Sequence, residues 1–126
     1  MLMALVIGDL HGNIAKTGAF LGYEPDVEHI CLGDYVDSFT EPPEMQLECL
    51  NLLINSDAVL LWGNHDIHYL PNAPWQCTGF QPRMLDVFGD IFSAALKRER
   101  IIAAYAVDNW LCTQSSRLTS SVILAS

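Results

Sequence analysis

Apolar and polar residues alternate in blocks along this chain, and the blocks repeat one grammar. A short apolar run ends in Gly-Asp or Gly-Asn and passes into polar residues three times: "LMALVIGD" (2–9), "HICLGD" (29–34) and "AVLLWGN" (58–64). Continuous apolar runs this short, bounded by turn formers, predict strands buried on both faces of a parallel sheet. Between them, "NIAKTGAFLG" predicts a helix with Asn13 as N-cap, Gly22 as C-cap and Ile14, Phe20 and Leu21 on one side. "TEPPEMQLECLNLLINS" predicts a second helix: prolines in its first turn, Glu41 and Glu44 at its positive end, and an apolar face of Met45, Leu47, Leu50, Leu53 and Ile54.

Strand, helix, strand, helix, strand implies right-handed βαβ units, and sites in such sheets form outside the carboxyl ends of the strands. Beyond residue 66, "HYLPNAPWQCTGFQP" holds three prolines and predicts an irregular loop, a rim or lid. "RMLDVFGDIFSAALKRER" predicts an amphipathic helix with a basic last turn, and Asp86 and Asp90 read as its solvated face. "IIAAYAV" and "WLCT" predict two strands joined at Asp108-Asn109. The final residues, "SSRLTSSVILAS", carry no motif.

Composition narrows the classes. With 126 residues, 51% hydrophobic and 17% charged, the chain is a single globular domain. Six Lys+Arg against fifteen Asp+Glu give a formal charge of −9, which repels phosphate backbones and argues against a nucleic-acid polymer as partner. Cys31, Cys49, Cys77 and Cys112 form no C-x-x-C pair and read as reduced, structural thiols. The amino-terminal apolar run lacks a basic flank and is too short for a signal peptide or a membrane span, so the expectation is a cytoplasmic protein without membrane contact.

Candidate chemistry sits at the three strand ends. "GDLHGN" (8–13), "GDYVDS" (33–38) and "GNHD" (63–66) offer Asp9, His11, Asp34, Asp37, Asn64, His65 and Asp66. Each cluster alone reads as a turn; three of them in order, each behind an apolar run, read as a ligand set. Carboxylates with imidazoles suit Mn²⁺, Fe or Zn²⁺ better than Ca²⁺.

These clusters resemble the GDxHG, GDxxD and GNHD/E motifs of the calcineurin-like metallophosphoesterases. The similarity is greatest to the phosphoprotein-phosphatase branch, which includes bacterial and phage serine/threonine phosphatases and diadenosine tetraphosphate hydrolases. "VDNWLCT" is similar to the strand before that branch's fourth motif, so the resemblance covers residues 2–113 and leaves 114–126 as a tail. It implies an α/β sandwich (αββα), of which this chain carries the N-terminal βαβαβ half with the second half largely missing. It implies metal-dependent hydrolysis of phosphate esters by water activated between two divalent ions, Mn²⁺ foremost, with Fe or Zn²⁺ as alternatives. Asp9 and His11 would bind the first ion, Asp34 would bridge both, and Asn64 would bind the second. His65 would protonate the leaving group, with Asp37 orienting it. The partner is a phosphorylated substrate: phosphoprotein, dinucleoside polyphosphate and small phosphoester all stay open, as do the substrate-binding residues and the oligomeric state.

Two departures qualify these implications. The branch carries an Arg after its second motif, and here that position is Ser38, with Arg83, Arg98 and Arg100 as candidate substitutes. The branch also completes its second metal site with two later histidines, whereas "WLCT" is followed by Gln114-Ser115-Ser116. The expectation is an intact first site, a weak second one, and a truncated or out-of-frame ending of a longer parent. A catalytically inactive remnant and a metal-binding interaction module of the same fold are the alternatives to an active enzyme. A missing second half would also leave the inner sheet face exposed. His29 reads as a solvated or core-edge histidine at the opposite end from the site, and His68 as a plain loop histidine ahead of the alternative that it reaches the rim.

Overall fold

Each of the three apolar runs becomes a strand: β1 (Ala4–Ile7), β2 (Glu28–Cys31) and β3 (Val59–Leu61). The computed structural model describes residues 4–107, 110–114 and 120–124. β1, β2 and β3 pair in parallel with a fourth strand, β4 (Ile101–Ile102), in the order β1-β2-β3-β4. The crossovers run through α1 (Ile14–Gly22), α2 (Pro43–Ile54) and α4 (Leu85–Lys97), while the four-residue α3 (Asn64–Ile67) follows β3 directly. Parallel register brings the carboxyl ends of β1, β2 and β3 to one edge, and all three polar clusters with them.

Local chemistry explains most of the element ends. The Asn13 side chain accepts from the Lys16 N–H and starts α1. Gly22 is the last residue of α1 and Tyr23, with extended backbone, is its cap, so the glycine stop falls one residue late. α2 begins at Pro43 and buries Leu50, Leu53 and Ile54 of the expected face, with Met45 and Leu47 half-buried at its margin. The stripe also takes in Cys49 and Gln46, whose amide serves the loop after β2. Gly12 faces it: a methyl there would stand 2.4 Å from Gln46 Cγ, and φ is +73°, so only glycine suits both conditions.

"IIAAYAV" is not one strand. Ile101–Ile102 enters the parallel sheet beside β3, as the crossover through α4 requires, and the chain then leaves that sheet. Tyr105–Val107 forms β5 of an antiparallel sheet with β6 (Trp110–Gln114) and β7 (Ser120–Leu124). β5 and β6 pair as expected, with the Asp108-Asn109 connection outside the described residues. β7 draws residues 120–124 of the motif-less tail into the fold.

Two cores result. Leu10, Phe20, Leu50, Leu53, Leu60, Phe88 and Phe92 fill the space between the helices and the sheet. On the other face, Ile30, Leu32 and Leu61 are covered by Val107 and Cys112. The inner face expected to lie bare is therefore packed at its centre, because the β5-β6 hairpin folds back over it. Among the described residues no helix is long and apolar enough to cross a membrane.

Candidate metal centre

The loop after β1 holds Asp9 and His11, both with left-handed backbone (φ 56° and 47°), and Asp34 and Asp37 after β2 are alike (φ 60° and 68°). That conformation costs a residue with a Cβ roughly 1–2 kcal/mol, so four instances at one sheet edge are an outlier that points to function. Backbone contacts stitch the loops: the His11 N–H donates to the Asp34 carbonyl at 2.9 Å, and the His65 N–H to Asp34 Oδ1 at 3.0 Å.

Asp9, His11 and Asp34 present donor atoms that all lie within 4.8 Å of one another, a spacing one cation can bridge. Two features fit such an ion. His11 Nδ1 lies 2.7 Å from the Val36 carbonyl, which only accepts, so Nδ1 carries the proton and Nε2 is left with its lone pair. Asp9 is pushed above the usual carboxylate range, first by burial and then by the adjoining Asp34, a like-charge conflict that a cation would relieve.

Beside this trio, the His65 ring packs edge-on to His11, with centroids 5.1 Å apart. His65 Nδ1 meets Asp37 Oδ2 at 2.8 Å. That bond, aided by the charges of Asp34, Asp37 and Asp66 and opposed by burial, raises the His65 pKa. Burial pushes Asp37 up, but donors from His65, His68, Tyr69 and Gln81 together outweigh it and hold the carboxyl down at about 2. Tyr69 Oη donates at 2.5 Å and Gln81 Nε2 at 3.1 Å, both to Oδ1.

The structure thus brings Asp9, His11, Asp34, Asp37, Asn64 and His65 to one edge, and it separates Asp66 from them. Asp66 is wholly buried and accepts the N–H groups of Asp34, Tyr35 and Gly63 at 2.8, 2.9 and 3.0 Å. It ties the β2 and β3 loops together, and burial with Asp34 nearby raises its pKa well above the usual range. His68 is a correction. It is no plain loop histidine: it is buried, with Nδ1 accepting from the Cys77 N–H and Nε2 2.6 Å from Asp37 Oδ2. The missed signal was its spacing of three from His65, which puts both on one side of the turn that "GNHD" begins. His29, as expected, is remote, with ring nitrogens on the Val27 and Tyr23 carbonyls.

The substitutes for the absent arginine fare differently. Arg100 is committed elsewhere, donating to the carbonyls of Leu53, Ile54, Ser56 and Ala58. Ser38 Oγ accepts the N–H groups of Thr40 and Glu41, so it shapes its own turn. His65, His68 and Cys77 also come within 4.8 Å. Both His68 nitrogens and His65 Nδ1 are engaged there, which makes a poor ligand trio. A cavity of about 430 Å³ lined by His68, Trp75, Phe80 and Asp86 includes none of the six predicted residues.

Comparison with known proteins agrees with this geometry. The sequence profile of the calcineurin-like phosphoesterases matches residues 2–121. A Caenorhabditis elegans protein named "Putative serine/threonine-protein phosphatase" is 31% identical over an alignment of 102 residues that covers 71% of this chain. The matched region spans only 22% of that relative's length. No solved structure matches. A match over nearly all of the chain, with its three motifs meeting at one strand edge, makes the protein a member of the calcineurin-like phosphoesterase family.

Proposed function

We propose that this chain hydrolyses phosphate esters with a divalent metal ion, Mn²⁺ foremost, held by Asp9, His11 and Asp34. The observation that carries the reading is the convergence of that trio with the His65–Asp37 pair at one sheet edge. A divalent ion there supplies the positive charge that polarises a phosphoryl group and acidifies water. The residues do the rest. Asp9 and Asp34 neutralise the cation and fix its place, and His11 gives a lone pair already aimed by the Val36 carbonyl. His65 donates the proton from Nε2 to the leaving oxygen, since Nδ1 is held by Asp37. Asp37, kept ionised, supports the charged imidazole. Asn64, at the start of α3, would hold a second ion together with Asp34. The phosphatase name of the relative favours a phosphoprotein or small phosphoester as substrate.

A second reading has its own support. Of the four histidines, His29 is held on the Val27 and Tyr23 carbonyls and His68 between the Cys77 N–H and Asp37, so neither is free to ligate a second ion. On that ground the fold would bind one ion and act as an inactive metal-binding interaction module. Hydrolysis of an alkyl phosphate, whose leaving oxygen needs a proton, with and without Mn²⁺ separates the two. An enzyme shows Mn²⁺-dependent turnover that falls by about 10²–10⁴ in His65→Asn and vanishes in Asp34→Asn. Mn²⁺ binding without turnover establishes the second reading.

A further inference from the structure

We propose that His68 is a positioning residue for the proton donor: it clamps Asp37 so that the carboxylate aims His65. The proposal rests on the reading of His65 as leaving-group acid. Asp37 Oδ2 is shared, 2.8 Å from His65 Nδ1 and 2.6 Å from His68 Nε2. The His68 ring cannot choose another pose. Its Nδ1 receives the Cys77 N–H at 2.9 Å, so that nitrogen is the acceptor and the proton sits on Nε2. The ring stands edge-on to His65, Tyr69 and Phe80, with centroids 5.5, 4.5 and 4.9 Å apart. Its side chain is fully buried, and Nε2 makes no aligned hydrogen bond, with the off-axis contact to Asp37 as its charge partner.

A purely apolar filler would satisfy the packing without burying a poorly aligned N–H. The imidazole differs from such a filler by its Nε2 proton, which faces Oδ2 at 2.6 Å from one side while Tyr69 and Gln81 restrain Oδ1. With both oxygens held, the carboxylate cannot rotate, and its remaining direction points at His65 Nδ1. Removing His68 frees that rotation and lets the imidazole of His65 wander from the leaving oxygen.

The test compares an ester with a good leaving group, p-nitrophenyl phosphate, and one with a poor leaving group, an alkyl phosphate, at saturating Mn²⁺. A good leaving group needs no proton donor, so His68→Phe is expected to lower kcat for the alkyl ester by about tenfold or more while leaving the aryl ester within about threefold. KM stays unchanged for both. His68→Gln, whose amide both accepts from Cys77 and donates towards Asp37, restores the alkyl rate. An equal loss on both esters, or no rescue by glutamine, overturns the proposal.

A second readout needs neither metal nor turnover. In the metal-free protein the downfield imidazole N–H proton of His65, identified by its loss in His65→Gln, is expected to broaden in His68→Phe and sharpen again in His68→Gln. If the wild type hydrolyses neither ester but that resonance behaves so, the functional reading fails and the clamp stands. A resonance unchanged in folded His68→Phe removes the clamp, whatever the activity.

Discussion

Asp37 gathers four donors on two oxygens, and its folded pKa of about 2 has a consequence for stability. The ordinary value of 3.8 applies in the unfolded chain, so the folded state binds this proton less tightly. The resulting stabilisation, about 2 kcal/mol at 1.36 kcal/mol per pH unit, is full above pH 4 and is lost as pH falls through about 2. Asp37→Asn is expected to be destabilised near neutral pH and to lose less further stability than the wild type between pH 4 and 2. Urea midpoints across that window check it, and parallel slopes for the two proteins would contradict it. The contribution of His65 runs the other way: its raised pKa stabilises at low pH and fades as pH rises through the folded value. At this scale the sequence was informative where the side chains that meet at the sheet edge lie in contiguous motifs, as for Asp9, His11, Asp34 and His65. It misread His68 as a loop histidine because that residue's partner, Asp37, lies on another loop. It grouped Asp66 with the ligands because a carboxylate bound to three backbone N–H groups looks the same in a motif as one that faces an ion.

Elements were legible where periodicity and caps decide them. β1, β2, β3, α2 and α4 follow their apolar patterns, and α4 buries Phe88, Phe92 and Ala95 on one face. The division of "IIAAYAV" between two sheets was not legible, because both halves are apolar and only tertiary pairing distinguishes them. Arg100 shows how elements are joined beyond their own patterns. α2 has no basic residue in its last turn, and its terminal carbonyls fall instead to the guanidinium that enters from the end of α4. Four carbonyl oxygens at about 2.9 Å, from Leu53, Ile54, Ser56 and Ala58, anchor the α2-β3 connection. Arg100→Met removes the guanidinium from all four carbonyls, of which Leu53 keeps the Ser56 N–H and hydroxyl, and is expected to cost about 2–3 kcal/mol. Arg100→Lys recovers only part of it, since one ammonium cannot match a planar fork. Chemical denaturation measures both, and a lysine variant as stable as the wild type would show that charge alone suffices. Mn²⁺ affinity is expected to survive in either variant, because the anchor lies away from Asp9, His11 and Asp34.

For the whole molecule, charge and site design converge on metal dependence. The chain carries −9 overall, and it places Asp9 and Asp34 close enough that their mutual repulsion contributes to raising the pKa of Asp9. The apo fold therefore holds an electrostatic conflict at the sheet edge on which its three βαβ loops converge, and a divalent cation binding only the folded state would relieve it. Free Mn²⁺ at a hundred times its Kd is expected to add about 2.7 kcal/mol to the unfolding free energy, a shift removed by chelator and absent in Asp34→Asn. Isothermal titration should give one tight equivalent, since Asp9, His11 and Asp34 form a full donor trio while His65 and His68, the histidines that follow Asn64, are both turned to Asp37. Two equivalents of similar affinity would mean that the second position is completed by groups other than imidazoles, with Asp34 as the shared ligand. Lowering the pH weakens binding through Asp9: its raised pKa means that protons compete with the ion at a higher pH than for an ordinary aspartate. The thermal shift with Mn²⁺ should accordingly shrink on acidification before the apo protein itself loses the stability that Asp37 supplies, as pH falls from about 4 through about 2.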